Sequence, residues 1–416
     1  MKKIAFLSFA TSALLMAGGY KIPENSTNAV ALGAANIAHN HNNADAAYYN
    51  PAKMVFMSDE NHVDANLMYI GLDKVKYKGT VSGTGPYDIA SKKETFIVPS
   101  LHYVSPKLGN ARVGVSIVSP GGLSKRWSEA PASTSTEEFT LKTIEVNPTI
   151  AVKVSETLGL AAGFRIVRSD GIVKGSGGVN IPALGGAGTV SRDMKGNGLD
   201  FGFNLAVAYQ PTKNIEIGVT YRSKIDLNLE GNAKLATSLG GGSTYDGPAT
   251  VSVPLPAALN VAFAYTFETK TTLEMVYERT YWSAYQNLDF NYNGTEGAVL
   301  SAIFGNAVAK NWKDTNTYRF GITQELDSVT LMGGLVIDNT PVPDSSLSFE
   351  LPDTDTVAVS FGGRYKLNDK MDIALAAIYS MHDKRTINAS NNNNNLTGEF
   401  SGGNVLIVST GISYKF

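Results

Sequence analysis

The sequence predicts an all-β fold: a transmembrane antiparallel β-barrel of about fourteen strands, with a small N-terminal segment set apart from it. Strict alternation of side-chain character is the first observation behind this. From Leu199 to Tyr209 the odd positions are Leu199, Phe201, Phe203, Leu205, Val207 and Tyr209, and the even ones are Asp200, Gly202, Asn204, Ala206 and Ala208. A strand turns successive side chains to opposite faces, so this stretch has one apolar face and one small or polar face. The second observation is the rhythm of the connections. Short links such as Pro106-Lys107-Leu108-Gly109, Pro211-Thr212-Lys213, Asp327-Ser328 and Asn368-Asp369-Lys370 alternate with long ones near 71–94, 120–140, 169–197, 231–249, 291–315, 338–355 and 384–403. Short turns at one end and long loops at the other are the layout of a bacterial outer-membrane barrel. Composition is the third: charged residues make up 17% of the 416, against a usual ~25%, and 41 glycines and 19 tyrosines help fill the difference.

Taken in chain order, the first element is an apolar run from Ile4 to Met16, preceded by Lys2 and Lys3 and followed by Ala17-Gly18-Gly19. It is too short to span a bilayer, and its charged start and small-residue exit read residues 1–17 as a secretory signal peptide. Residues 18–58 are dense in Ala and Asn and fit no strand pattern. Such composition suits a compact body inside a lumen, or a disordered periplasmic tail. Residues 59–416 form the barrel, with strands near 62–70, 95–104, 111–119, 141–154, 158–168, 198–210, 214–230, 250–266, 271–290, 316–326, 329–337, 356–367, 371–383 and 404–416. Most match the ~9–11 residues a tilted strand needs to cross a membrane. A soluble β-sandwich also alternates, but it gives no reason for a loop asymmetry that holds along the whole chain. Closure into a barrel removes the sheet edges that lipid cannot satisfy.

Several function classes fall away. With no cysteine there is no disulfide, thiol nucleophile or iron–sulfur cluster, and a formal charge of -2 gives no basic face for nucleic acid. No Ser/His/acid set shares one face, so no enzyme is expected; nor are a cofactor or a metal, since the five histidines, His39 and His41 included, show no metal spacing.

Several stretches carry a resemblance. Gly18-Gly19-Tyr20-Lys21-Ile22, Gly33-Ala34-Ala35 and Tyr49-Asn50-Pro51-Ala52 lie near the start, Val98 to Val104 and Leu255 to Val261 farther on. Asn311-Trp312-Lys313-Asp314-Thr315, Asp338-Asn339-Thr340-Pro341-Val342-Pro343-Asp344 and Leu351-Pro352-Asp353-Thr354-Asp355 complete the set. Together they resemble the outer-membrane long-chain fatty acid transporters of the FadL type, a family that also includes aromatic hydrocarbon channels. The resemblance implies a fourteen-stranded barrel plugged by an N-terminal hatch, here residues 18–58 with Asn50, Pro51 and Ala52 as its motif. It implies passive transport: capture at extracellular loops, an internal pocket and lateral release through a kinked third strand. Long-chain fatty acids are the expected substrates, with aromatic hydrocarbon uptake as the alternative and a general porin or an adhesive barrel behind both. The expected partners are the hydrophobic molecule, outer-membrane lipid and lipopolysaccharide, and the barrel-assembly machinery, which would read the terminal Phe416; a monomer is expected.

Candidate site residues follow. Ser119, Pro120, Gly121 and Gly122 end the third strand, where Pro lacks a ladder donor and Gly permits a bend; they are a turn or, as the family implies, the lateral-gate kink. Arg165, Arg222, Arg319 and Arg364 fall on the polar faces of their strands, hence toward the lumen, and each can meet a ligand carboxylate or a carboxylate of wall or hatch. Family position favours Arg165, with Arg168 close by. Ile181 and Leu184 belong to the loop expected to form the capture groove, and Phe304 ends a run from Ala298 with the spacing of a short amphipathic helix.

Overall fold

A computed structural model describes residues 18–416; the signal-peptide expectation for 1–17 lies outside the described residues. Fourteen antiparallel strands close a barrel, because the first pairs with the last from His62↔Lys415 to Leu72↔Val405. They are β1 His62–Leu72, β2 Glu94–Val104, β3 in two pieces (Ala111–Val118 and Gly122–Arg126), β4 Glu138–Lys153, β5 Leu158–Ile181 and β6 Gly186–Tyr209. Then come β7 (Ile215–Arg222 and Ile225–Thr237), β8 (Ser243–Leu255 and Ala258–Thr266), β9 Thr271–Thr280, β10 Thr315–Glu325, β11 Val329–Asp338, β12 Thr356–Lys366, β13 Met371–His382 and β14 Val405–Lys415.

The burial pattern is inverted relative to a soluble protein. On β6, Phe201 is 56% exposed and Phe203 49%, while Asn204 between Phe203 and Leu205 is 2% exposed. Large apolar side chains therefore point away from the protein, and polar ones point in, which a sandwich in water does not tolerate over a whole wall. The large hydrophobic core lies instead among the extracellular connections, where Trp127, Tyr77, Phe349 and Phe400 pack with Tyr20, Trp282 and Trp312.

Two expectations about loops fail. Segment 169–197 is not a loop: β5 and β6 pair without interruption from Leu158↔Tyr209 to Ile181↔Gly186, and only 182–185 turn. Likewise β7 and β8 pair as far as Thr237↔Ser243, so 231–249 is mostly strand. Backbone pairing carries these hairpins well beyond the membrane, and their many glycines blur the alternation that would have announced them. The 71–94 connection is also structured, as a hairpin (Val75–Val81 and Thr84–Ala90) in a separate four-stranded sheet with Arg385–Ile387 and Leu396–Gly402.

Residues 20–38 and 43–55 are almost wholly buried within the ring of strands. Helix α1, Thr27–Leu32, starts at Ser26, whose hydroxyl accepts a bond from the Ala29 N–H, and stops at Gly33 with φ 58°. That left-handed conformation suits glycine, and a Cβ there would lie 2.5 Å from Val336 Cγ2 of the wall. Helix α2, Ala46–Tyr49, leads into a short 3₁₀ turn, Pro51–Phe56. Asn50 joins the parts: its Oδ1 accepts from Ala52 N (3.1 Å), and its Nδ2 donates to Ile37 O (2.9 Å) and Val207 O (3.1 Å). The wall holds this body through its own polar groups. Glu274 accepts from the backbone N–H groups of Ile37, Ala38 and His39, and Arg112 donates to the carbonyls of Met54 and Ser58.

Candidate functional site

The wall has a gap. Strand β2 pairs with β1 along its full length, but with β3 only from Leu101↔Ile117 to Val104↔Gly114. The cause lies in β3. Val118 stands opposite Glu145 and Gly122 opposite Lys142, so three residues, Ser119 to Gly121, face the two residues Thr143 and Ile144. This is a bulge at a residue that cannot donate, and the strand bends away from β2 there. The strand resumes at Gly122, and contact with β2 returns at its top, where Ser124 Oγ lies 2.7 Å and Arg126 Nη2 2.9 Å from Glu94 Oε2.

The first buried residues of the plug cover this bend from inside. Ile22 N donates to Pro120 O (3.0 Å), Gly122 N to Tyr20 O (2.8 Å) and Ser119 N to Asn25 Oδ1 (3.0 Å). Tyr20 is the top of this segment, 2% exposed, with its hydroxyl donating to Pro254 O (2.5 Å) and its ring edge against Trp282 and Tyr285.

Above Tyr20 lies a narrow cavity in the extracellular half. Its lining is apolar, with Leu123, Phe139, Leu141, Leu229, Val253 and Phe290, and the charged groups on it are Lys310 and Glu350, in direct contact with each other. Burial, with Arg192 nearby, pushes the Lys310 ammonium down to about 7. A second narrow cavity lies beside it toward the plug, bounded by Ile22, Tyr48, Leu255 and Pro120 and by Arg165, Arg222 and Arg319.

The four lumenal arginines do face inward, each with an internal acceptor. Arg165 Nη2 is 2.9 Å from Glu145 Oε2 and its Nη1 2.6 Å from Ser223 O; Arg222 contacts the other oxygen of Glu145 and lies over the Tyr48 ring. Arg319 meets Glu278 (3.5 Å) and Gly33 O (3.0 Å), and Arg364 meets Asp64 (3.7 Å) and Asn28 Oδ1 (2.8 Å). Arg168 is exposed on the opposite face and pairs with Asp170 (3.4 Å). Ile181 and Leu184 sit half-buried at the tip of the β5–β6 hairpin, outside the cavity lining, on a paired strand and its turn rather than in a loop. Phe304 ends helix α3, Ala298–Phe304, and packs on the extracellular core beside the cavity rather than in it. Lys310, Glu350 and Tyr20 are the site residues the sequence did not single out as binding groups. Lys310 is placed by long-range pairing of its loop, through Lys310 N→Gln286 O and Trp312 N→Tyr285 O, which no local pattern announces.

A closed barrel with an apolar outer face, an internal plug and cavities in series defines an outer-membrane transport barrel. The chain belongs to the outer membrane protein transport protein family (OMPP1/FadL/TodX), which matches residues 7–416. It is accordingly an outer-membrane transport protein of the FadL/TodX type for hydrophobic compounds and not an enzyme. The long-chain fatty acid transport protein of Salmonella typhi is 27% identical over 360 residues, 80% of each chain, and that of Escherichia coli strain K12 is 24% identical over 376 residues, again 80% of each. Among solved structures, a Pseudomonas aeruginosa FadL homologue aligns with a TM-score of 0.83 at 20% identity, covering 96% of this chain and 100% of that one. The P. putida toluene transporter TodX aligns at 0.72 with 18% identity, covering 94% and 98%.

Proposed function

We propose that this barrel passes long-chain fatty acids, and that the carboxylate is received by Lys310 in exchange for Glu350. The observation that carries this reading is an apolar cavity whose lining, among the described residues, holds a single ammonium in contact with a carboxylate. An acyl chain gains roughly 0.8 kcal/mol per buried CH₂, which draws it from water, while the ammonium supplies the charged contact that a hydrocarbon lacks. The arginines of the lower cavity are less suited, because Glu145 and Glu278 already engage them; Arg165, Arg222 and Arg319 line the onward path instead. From there the substrate leaves sideways at the bend around Pro120. Support for a lateral exit is the short β2–β3 pairing, and its reason is that an acyl chain released downward would have to cross water.

A second reading has its own support. The Lys310–Glu350 pair leaves the upper cavity electrically neutral overall, which equally suits an uncharged aromatic hydrocarbon. Mass spectrometry of ligand copurifying from membranes separates the two: fatty acids are expected, and neutral aromatics alone would overturn the first reading.

A further inference from the structure

We propose that His39, His41 and Glu325 form a site for a divalent cation of borderline character, Zn²⁺ being the probe of choice, that clips the plug to the barrel wall at its periplasmic mouth. The three side chains each offer a ligand atom within 4.8 Å of the others. They come from two distant parts of the chain, the plug and the end of β10, beside the short turn at 326–328. Short turns mark the periplasmic end of such a barrel.

Each imidazole is oriented for the task by a group behind it. His39 Nδ1 is 2.5 Å from Glu216 Oε1, and the other oxygen of Glu216 contacts the Lys53 ammonium. With its proton on Nδ1, His39 turns the lone pair of Nε2 inward, and that atom is buried without a hydrogen-bond partner among the described residues. A carboxylate behind a ligating histidine is the usual way of fixing ring and tautomer at a metal. His41 Nε2 lies 3.2 Å from Thr323 Oγ1 and its Nδ1 3.1 Å from Glu325 Oε1. Without an ion, His41 Nδ1–H donates to the Glu325 carboxylate and Nε2 accepts from the Thr323 hydroxyl. A cation that displaces the Nδ1 proton is met by that lone pair and by the carboxylate oxygen beside it, while Nε2–H turns to donate to Thr323.

The dimensions suit the ion. Zn²⁺ takes imidazole nitrogen and carboxylate oxygen at about 2.0–2.2 Å, which sets tetrahedral ligand atoms roughly 3.3 Å apart. The His41–Glu325 contact is already at that spacing, and the two rings stand edge to face with centroids 4.3 Å apart. Glu325, 47% exposed, has room to adjust and leaves the fourth position open to water. Two imidazoles and one carboxylate favour Zn²⁺, Ni²⁺ or Cu²⁺ over Mg²⁺ or Ca²⁺.

The test uses the mature chain in detergent, equilibrium dialysis against Zn²⁺, and Co²⁺ absorption as a report of nitrogen ligation. One Zn²⁺ per chain is expected, with binding weakened about 10- to 100-fold in Glu216→Gln, which touches no metal, and lost in His39→Ala and His41→Ala. Glu325→Gln, at the rim and neutral, tests the third ligand without disturbing the plug, and should weaken binding at least tenfold. His382→Ala, on the extracellular side, should bind as the parent does. Heat-dependent migration on gels verifies that each variant is a folded barrel. Failure of the parent chain to retain Zn²⁺, or retention of stoichiometric Zn²⁺ by a folded His39→Ala/His41→Ala double variant, would overturn the proposal.

Discussion

Replacing Glu350 by glutamine should make this protein bind fatty acids more tightly, an unusual direction for a substitution inside a binding cavity. Among the described residues, Glu350 contacts the one ammonium on the cavity lining, so an arriving carboxylate competes with it. Glutamine keeps the shape and removes the charge. A hydrogen bond to a charged group is worth about 1.5–3 kcal/mol, and about 1.4 kcal/mol is a factor of ten in affinity. Oleate should therefore bind Glu350→Gln about 10- to 150-fold more tightly, while toluene changes little because it never meets the ammonium. Lys310→Met should do the reverse, since it leaves the Glu350 carboxylate facing the ligand's own. The double variant Lys310→Met/Glu350→Gln should bind oleate and toluene by apolar contact alone. Displacement of a fluorescent fatty acid, with toluene measured by calorimetry in the same detergent, reads all four proteins. Equal shifts for oleate and toluene, or no change for oleate in Glu350→Gln, would refute the exchange of carboxylates.

The remaining predictions concern the plug and its supports. Glu145→Ala strands the guanidinium groups of Arg165 and Arg222 in the lumen, and should cost about 3–5 kcal/mol, read as a lower thermal transition of the barrel. Gly334→Val puts a side chain where a Cβ would lie 2.5 Å from Leu32 O, so α1 must shift; raised conductance and antibiotic permeability are expected with the barrel intact, and an unchanged seal would count against tight seating. Asp353, in the loop after β11, accepts from Thr340 Oγ1 (2.7 Å) and Gly19 N (3.3 Å), and burial raises its carboxyl to about 7. A raised folded value means the stabilising, protonated form is fully present at low pH and is lost as pH rises through about 7. Amide exchange at residues 19–22, corrected for intrinsic rates, should accelerate across that window in the parent and show no such step in Asp353→Asn.

How much of this was legible in the sequence depended on how local its cause was. Alternation at Leu199 to Tyr209 is a property of neighbours, and it distinguishes the inside of the wall from its outside. The inward direction of Arg165, Arg222, Arg319 and Arg364 followed from the same pattern. Their partners did not, because Glu145 and Glu278 are chosen by strand register around the barrel. The hairpin from Leu158 to Tyr209 was cut short because Gly175, Gly177 and Gly178 carry no side chain to alternate. His39 and His41 lacked metal spacing by themselves, since the third donor is 284 residues away.

The seating of the plug has one more consequence. Lumen-facing Gly114, Gly218 and Gly334 each leave room that a plug atom occupies: Met54 Sδ, Ile37 O and Leu32 O would lie 2.5–2.6 Å from an added Cβ. Wall and plug are thus cast against each other, hollow to bump, although the plug is continuous and looks detachable. Grafting a relative's plug into this barrel should fail unless the facing hollows are carried across with it, so the two parts are inherited as one shape.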